Sequence, residues 1–207
     1  GLAGAAGLTV FNNAALAGVP DEPVISRTLG RTGLVLPVVS FGVMRSDNSS
    51  LVQAAYEGGM KMFDTAHGYM NGRNEEMLGN YFSTLPRDSF VLATKVKPAG
   101  VDSRTGLPSA DTTASDFLEK FDLSMKRLKL DHVDILYMHA VDSVEMVRHE
   151  DIVNTMLDLK RKGRVRFIGI STHKNEPLVI NTMADDGIWD VVLTSYSYRQ
   201  TYRDEIN

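Results

Sequence analysis

Between residues 38 and 196 the sequence alternates short apolar, β-prone runs with longer stretches of helical spacing. The runs fall at residues 38–44, 61–66, 90–96, 133–139, 166–172 and 191–196. Helices are expected between them at residues 49–56, 74–82, 115–130, 150–162 and 177–184. Strands that are apolar almost throughout belong in a sheet covered by helices. A helix after each strand makes that sheet parallel, an α/β arrangement. Boundary signals agree with the periodicity. Ser49 or Ser50 reads as an N-cap, and Gly58-Gly59 stops the helix that follows. Phe117, Phe121, Met125 and Leu128 share one helical face. Ahead of the alternation, residues 24–28 and 34–37 flank Gly30-Arg31-Thr32-Gly33 and read as a hairpin.

The chain has 207 residues, 43% hydrophobic and 23% charged, enough apolar material to bury one core. Disordered and low-complexity classes are excluded. A formal net charge of -4 leaves no basic footprint for nucleic acid. No apolar run approaches the ~18 residues of a membrane span. With zero cysteines, disulfides, thiolate nucleophiles and cysteine-ligated metals are absent from this stretch. The length is long for one doubly wound domain and short of the ~250 residues typical of a (β/α)8 barrel. Six strands are legible, and a closed barrel needs two more.

Residues 1–22 form a separate N-terminal segment. They begin small and apolar, and Ala15-Leu16-Ala17 has the small-x-small pattern of a signal-peptidase site. The segment reads either as the remnant of an export signal, placing the protein outside the cytoplasm or in a periplasm, or as a short arm docked on a cytoplasmic domain. Residues 23–207 are expected to form one barrel domain, truncated after its sixth strand.

In a βα barrel the chemistry sits at the C-terminal ends of the strands and in the loops that follow. The polar residues there are Asp64, with Tyr69 in the next loop, then Lys95, then His139, then Ser171-Thr172-His173. Lys95 is the most informative, because a lysine inside an apolar strand is costly unless paired. Asp64, one strand over, is its expected partner. The set suits carbonyl reduction. A phenol donates poorly near pH 7, and a neighbouring ammonium favours the phenolate left behind. The carboxylate holds the lysine, and a histidine orients the substrate oxygen. A reduced nicotinamide supplies the hydride. His67, in the same loop, faces either the pocket or a loop hydrogen bond. Met44 and Met138 stand where they could line the pocket. The other methionines read as core filler.

With these residues in place, the chain resembles the aldo-keto reductases. The resemblance rests on Phe63-Asp64-Thr65-Ala66-His67-Gly68-Tyr69, Gly72-Arg73-Asn74-Glu75-Glu76-Met77-Leu78-Gly79, Ala93-Thr94-Lys95 and Met138-His139. Arg27-Thr28-Leu29-Gly30-Arg31-Thr32-Gly33-Leu34 and Gly163-Arg164-Val165-Arg166-Phe167-Ile168-Gly169-Ile170-Ser171 add to it. It implies a TIM (β/α)8 barrel, with about six of its strands in this chain, closed at one end by the hairpin. It implies a catalytic tetrad of Asp64, Tyr69, Lys95 and His139, with Tyr69 as general acid, and a small aldehyde or ketone as substrate. NADPH or NADH is the implied cofactor, held at its nicotinamide end by Ser171, Thr172 and Asp64. No metal ligands are indicated.

There are departures. A Ser-Asn pair common in the family is Ser171-Thr172 here, and its usual glutamine on the sixth strand is Leu193. The family's diphosphate contacts lie mainly on strands seven and eight, outside these residues. The 207-residue chain alone is therefore expected to bind cofactor weakly and to self-associate through open strand edges. Phe41-Gly42-Val43-Met44-Arg45 and Ser171-Thr172-His173 resemble a branch that often carries a C-terminal iron–sulfur segment. A cluster here would need cysteines beyond residue 207. Two alternatives to the reductase therefore stand: a cofactor-sensing module on the same barrel, and a redox enzyme coupled to such a segment.

Overall fold

The computed structural model describes residues 24–206. The expected segment 1–22 lies outside them. The hairpin is present: β1 (Ser26–Thr28) and β2 (Val35–Pro37) pair antiparallel. Thr32 fastens its turn, donating to the Leu29 carbonyl at 2.6 Å and accepting from the Leu34 amide at 3.1 Å.

Six strands follow: β3 (Phe41–Gly42), β4 (Met62–Asp64), β5 (Val91–Val96), β6 (Val133–Met138), β7 (Val165–Ser171) and β8 (Val191–Leu193). They form one sheet in chain order, and every neighbouring pair is parallel. This is the wall of a (β/α) barrel, six strands wide. The connections carry α1 (Ser49–Glu57), α2 (Arg73–Phe82), α3 (Ala114–Leu128), a short α4 (Val144–Val147), α5 (Glu150–Arg161) and α6 (Glu176–Asp186).

Period-two alternation divides the strand residues between two faces. Outward go Phe63, Leu92, Val96, Leu136, Met138, Ile168 and Ile170, into a core built with helix residues such as Phe117, Phe121, Met156 and Val179. Inward go Ala93, Ile135, Tyr137 and Val191, which pack with Leu34 and Leu36 of the hairpin. The hairpin thus plugs the end of the barrel opposite the site. Met138 is fully buried in the outer core and does not line the pocket. Met44 is 47% exposed. Trp189 is buried in the core. Among the described residues no helix is long and apolar enough to cross a membrane.

Several boundaries differ from expectation. The first barrel strand shrinks from residues 38–44 to Phe41–Gly42, because the Val38 amide is spent on the Ile25 carbonyl of the hairpin at 2.9 Å. The last shrinks to Val191–Leu193. Beyond it the Ser195 carbonyl accepts from Tyr202 Oη instead, at 3.2 Å. The cap of α1 is Asn48 and not a serine. Its Oδ1 reaches the Ser50 amide at 3.0 Å, so Ser49 and Ser50 begin the helix. The sequence reading passed over α4, which Ser143 caps by accepting from the Met146 amide at 3.2 Å. The long loop after β5 is anchored. Ser143 Oγ donates to the Gly106 carbonyl at 2.8 Å, and Lys174 Nζ to that of Ser103 at 2.9 Å.

Gly79 brings α2 against α3 backbone to backbone. A Cβ there would sit 2.1 Å from the Arg127 carbonyl oxygen and 2.7 Å from the Leu128 carbonyl carbon. Backbone cannot swing aside as a side chain can. Gly79→Ala is therefore expected to lower stability by about 3 kcal/mol, an overpacking cost at the upper end of its usual range. Urea denaturation reads this as a lower midpoint at unchanged slope. A wild-type midpoint would refute the close approach.

Candidate active site

The site is built on the inner face, at the C-terminal ends of β4, β5 and β6. Asp64 closes β4, Lys95 stands near the end of β5, and His139 follows β6. Lys95 is 2% exposed. An ammonium so placed must be paired. Its Nζ makes a short contact with Asp64 Oδ1 and donates to the Thr65 carbonyl at 2.7 Å. It lies 3.4 Å from Tyr69 Oη and 4.9 Å from the centre of the Tyr69 ring. Burial raises the pKa of the Asp64 carboxyl, and the Lys95 ammonium works against that rise. The second oxygen, Asp64 Oδ2, is buried and has no hydrogen-bond partner among the described residues.

Tyr69 reaches this lysine because the chain beyond β4 keeps its hydrogen bonding to β5. The Thr65 amide donates to Ala93 and the His67 amide to Lys95, each at 2.9 Å. The chain then turns back, the Tyr69 amide meeting the Ala66 carbonyl at 3.0 Å. The next three residues are left-handed: Met70 at φ 50°, Asn71 at 55° and Gly72 at 90°. For residues bearing a Cβ such conformations cost about 1–3 kcal/mol each and persist only where the surroundings impose them.

His139 is held by its amide, which donates to the Val96 carbonyl at 2.9 Å. Its ring stands edge-on to Tyr69, centroids 5.8 Å apart and planes at 83°. Burial, with the charges of Lys95, His173 and Lys97, lowers its pKa to about 4. Near pH 7 His139 is neutral, with one N–H donor and one acceptor nitrogen. Between about 4 and the ordinary histidine value of 6.5 the unfolded chain binds a proton that the folded one refuses. The resulting stability is present above 6.5 and is lost as pH falls toward 4. NMR titration should show the His139 imidazole neutral down to about pH 4. A midpoint near 6.5 would refute this burial.

The four expected tetrad residues thus meet on one rim. Of the expected cofactor contacts, Asp64 belongs to that rim, and Ser171 and Thr172 lie at and just past the end of β7, the strand beside β6. Ser171 ends β7, fully buried, and its Oγ accepts the Ala140 amide at 3.0 Å. Thr172 is also buried and donates to the Lys174 carbonyl at 2.9 Å. His67 turns toward α3, its Nδ1 3.0 Å from Ser124 Oγ. His173 is exposed. His132 and His149 are partly buried. Sequence reasoning passed over Tyr137, whose register opposite Lys95 places it beside the pair. Burial, with the Asp64 carboxylate, raises its pKa, so it stays a neutral phenol under the site. Among the described residues no group of three His, Cys, Asp or Glu side chains could hold a metal.

Residues 40–203 match the Aldo/keto reductase family. The chain belongs to that family. It is 33% identical over 190 residues to L-galactose dehydrogenase of Arabidopsis thaliana, covering 83% of this chain and 56% of that protein. The chain spans less than two thirds of the length of the curated relatives it matches, as with the 61% of an aldo-keto reductase from Alternaria alternata. Among solved structures, the holo form of an aldo-keto reductase from Bacillus halodurans superposes with a TM-score of 0.69 at 24% identity, over 84% of this chain and 58% of that one. An aldo-keto reductase from Klebsiella pneumoniae, solved in complex with NADPH, gives 0.62 at 22%, over 83% and 59%. These likenesses identify the six-stranded wall as part of a TIM barrel.

Proposed function

We propose that the full-length protein is an NAD(P)H-dependent oxidoreductase that reduces an aldehyde or ketone to an alcohol. The observation that carries this reading is the buried Lys95 ammonium, bonded to Asp64 and 3.4 Å from the Tyr69 hydroxyl, with a neutral His139 across the Tyr69 ring. A reduced nicotinamide, when bound, is the source of the hydride that reaches the carbonyl carbon. Tyr69 passes its phenolic proton to the carbonyl oxygen as negative charge develops there. Lys95 stabilises the phenolate that remains, and Asp64 keeps Lys95 charged and aimed. His139 donates its one N–H to the same oxygen and fixes its position.

Two features support a place for the nicotinamide end of the cofactor. The orphan acceptor Asp64 Oδ2 suits a ribose hydroxyl. Ser171 Oγ accepts the Ala140 amide and so keeps its own proton to donate to a carboxamide. Leu193 can offer no such bond.

The test is carbonyl-dependent oxidation of NADPH or NADH by the full-length protein over a panel of aldehydes and ketones. Turnover with at least one carbonyl is expected. Tight cofactor binding with no carbonyl-dependent turnover would sink the proposal in favour of a cofactor-sensing module.

A further inference from the structure

We infer that Arg127 is a positioning residue for Tyr69, a clamp that closes on both sides of the loop carrying that phenol. The inference rests on the reading of Tyr69 as proton donor. Arg127 lies in the last turn of α3 and touches none of the tetrad side chains. Its Nη1 donates to the His67 carbonyl at 3.0 Å, two residues before Tyr69. On the other side its guanidinium lies flat against Gly72, three residues after Tyr69. A Cβ on Gly72 would come within 2.2 Å of Arg127 Cζ and 2.5 Å of its Nε and Nη2. Between these two contacts sit Met70 and Asn71, both left-handed, a conformation that a side chain like that of Met70 avoids. Asn71 and Gly72 tolerate that geometry but Met70 does not, and Arg127 supplies the external constraint.

The guanidinium is itself anchored. Arg127 Nη1 is 3.3 Å from Glu75 Oε2, and Glu75 is fully buried. The other oxygen, Glu75 Oε1, accepts from Thr94 Oγ1 at 2.7 Å. Thr94 is the β5 residue immediately before Lys95. One buried carboxylate therefore ties the strand that carries Lys95 to the arginine that holds Tyr69. Ser124, one helical turn before Arg127, lies 3.0 Å from His67 Nδ1 and fastens the same loop by its side chain. Together these contacts set the Lys95–Tyr69 separation from behind. Their loss should change chemistry more than binding, because a proton donor displaced by about an ångström can lose on the order of a hundredfold in rate.

The experiment compares wild type, Arg127→Met, Arg127→Lys and the control Arg161→Met in the full-length protein. Arg161 is exposed at the end of α5 and, among the described residues, pairs with Asp158 alone. To relieve the buried carboxylate that Arg127→Met strands, Glu75→Gln/Arg127→Met is added. Two readouts are taken: steady-state kinetics, and hydrogen exchange of the amides at residues 67–72. Arg127→Met and the double variant are expected to lose roughly a hundredfold in kcat, with KM for the carbonyl within about twofold. The amides at 67–72 should exchange about tenfold faster or more, while those of β6 and α5 do not change. Arg127→Lys should fall between, keeping the charge without the planar fork. Arg161→Met should match wild type in both. If kcat and loop exchange are both unchanged, or KM and kcat shift together with exchange rising throughout the fold, the clamp is refuted. If wild type shows no carbonyl turnover, the reading of the site fails by itself. The exchange arm then decides the clamp: acceleration confined to 67–72 upholds it and unchanged exchange overturns it.

Discussion

Tyr69→Phe in the full-length protein is expected to cut kcat for carbonyl reduction by roughly 10²–10⁴-fold, the range that a positioned general acid contributes. The substitution is conservative everywhere but at the reacting atom. A phenylalanine ring keeps the edge-on packing against His139 at 5.8 Å and stays within 4.9 Å of the Lys95 ammonium. Only Oη goes, and with it the 3.4 Å approach to Lys95 Nζ. Folding and cofactor affinity should hardly move, so the loss should fall on the chemical step. Single-turnover kinetics with saturating cofactor separate that step from product release. Undiminished single-turnover rates would show that the proton comes from elsewhere, and His139 would then be the nearest alternative donor.

Lys95→Met should remove activity as thoroughly and also damage the fold. Methionine matches the stem of lysine but leaves Asp64 in its buried place without a counter-charge. Breaking one side of a buried pair costs about 3–5 kcal/mol. The sign of the pH dependence is the more discriminating result. Burial already raises the Asp64 pKa above 3.8 against the pull of Lys95. Without that pull it rises further. A carboxyl whose folded pKa exceeds its unfolded one contributes stability that is full below the unfolded value and lost as pH climbs through the folded value. Relative to wild type, the stability lost in Lys95→Met should therefore grow as pH rises above the unfolded carboxyl value of 3.8, a slope added to those that Asp64 and His139 already give wild type. Asp64→Asn/Lys95→Met should recover much of the stability and lose the added slope while staying inactive. Urea denaturation at several pH values reads all three proteins. A pH-independent loss in Lys95→Met would mean that Asp64 finds water once the lysine is gone.

The tetrad was legible because each member carries a local signal. Lys95 is a charge within an apolar run, and Asp64 and His139 stand at strand ends. Tyr69 follows a glycine that permits the turn. Period two in the strands extends that signal beyond the tetrad. Counting back from His139 puts Tyr137 on the inner face and Met138 on the outer one, as the structure has them. The pairing of Glu75 with Arg127 was much harder to see. Glu75 reads as an acidic residue in the first turn of a helix, where its charge suits the dipole. Yet Glu75, Leu78, Gly79 and Phe82 fall on one stripe of α2, and all are buried. A glutamate on an apolar stripe announces a buried partner without naming it. Nothing local to α2 points to a residue 52 positions away on α3. The shortened outer strands had the same cause. Strand propensity says nothing of whether a neighbour lies beyond.

The chain-order sheet also bears on how the protein is made. Each strand from β4 to β8 pairs with the one synthesised just before it. A segment emerging from a ribosome therefore meets a finished pairing edge and never waits for one still to be translated. The widest separation, between β5 and β6, is filled by the anchored loop and by α3, whose fifteen residues carry two fully buried phenylalanines, Phe117 and Phe121. Assembly can follow translation strand by strand, and the site forms early. Asp64 and Lys95 are in place once β5 docks, Tyr69 is fixed when α3 brings Arg127 against its loop, and His139 joins them with β6.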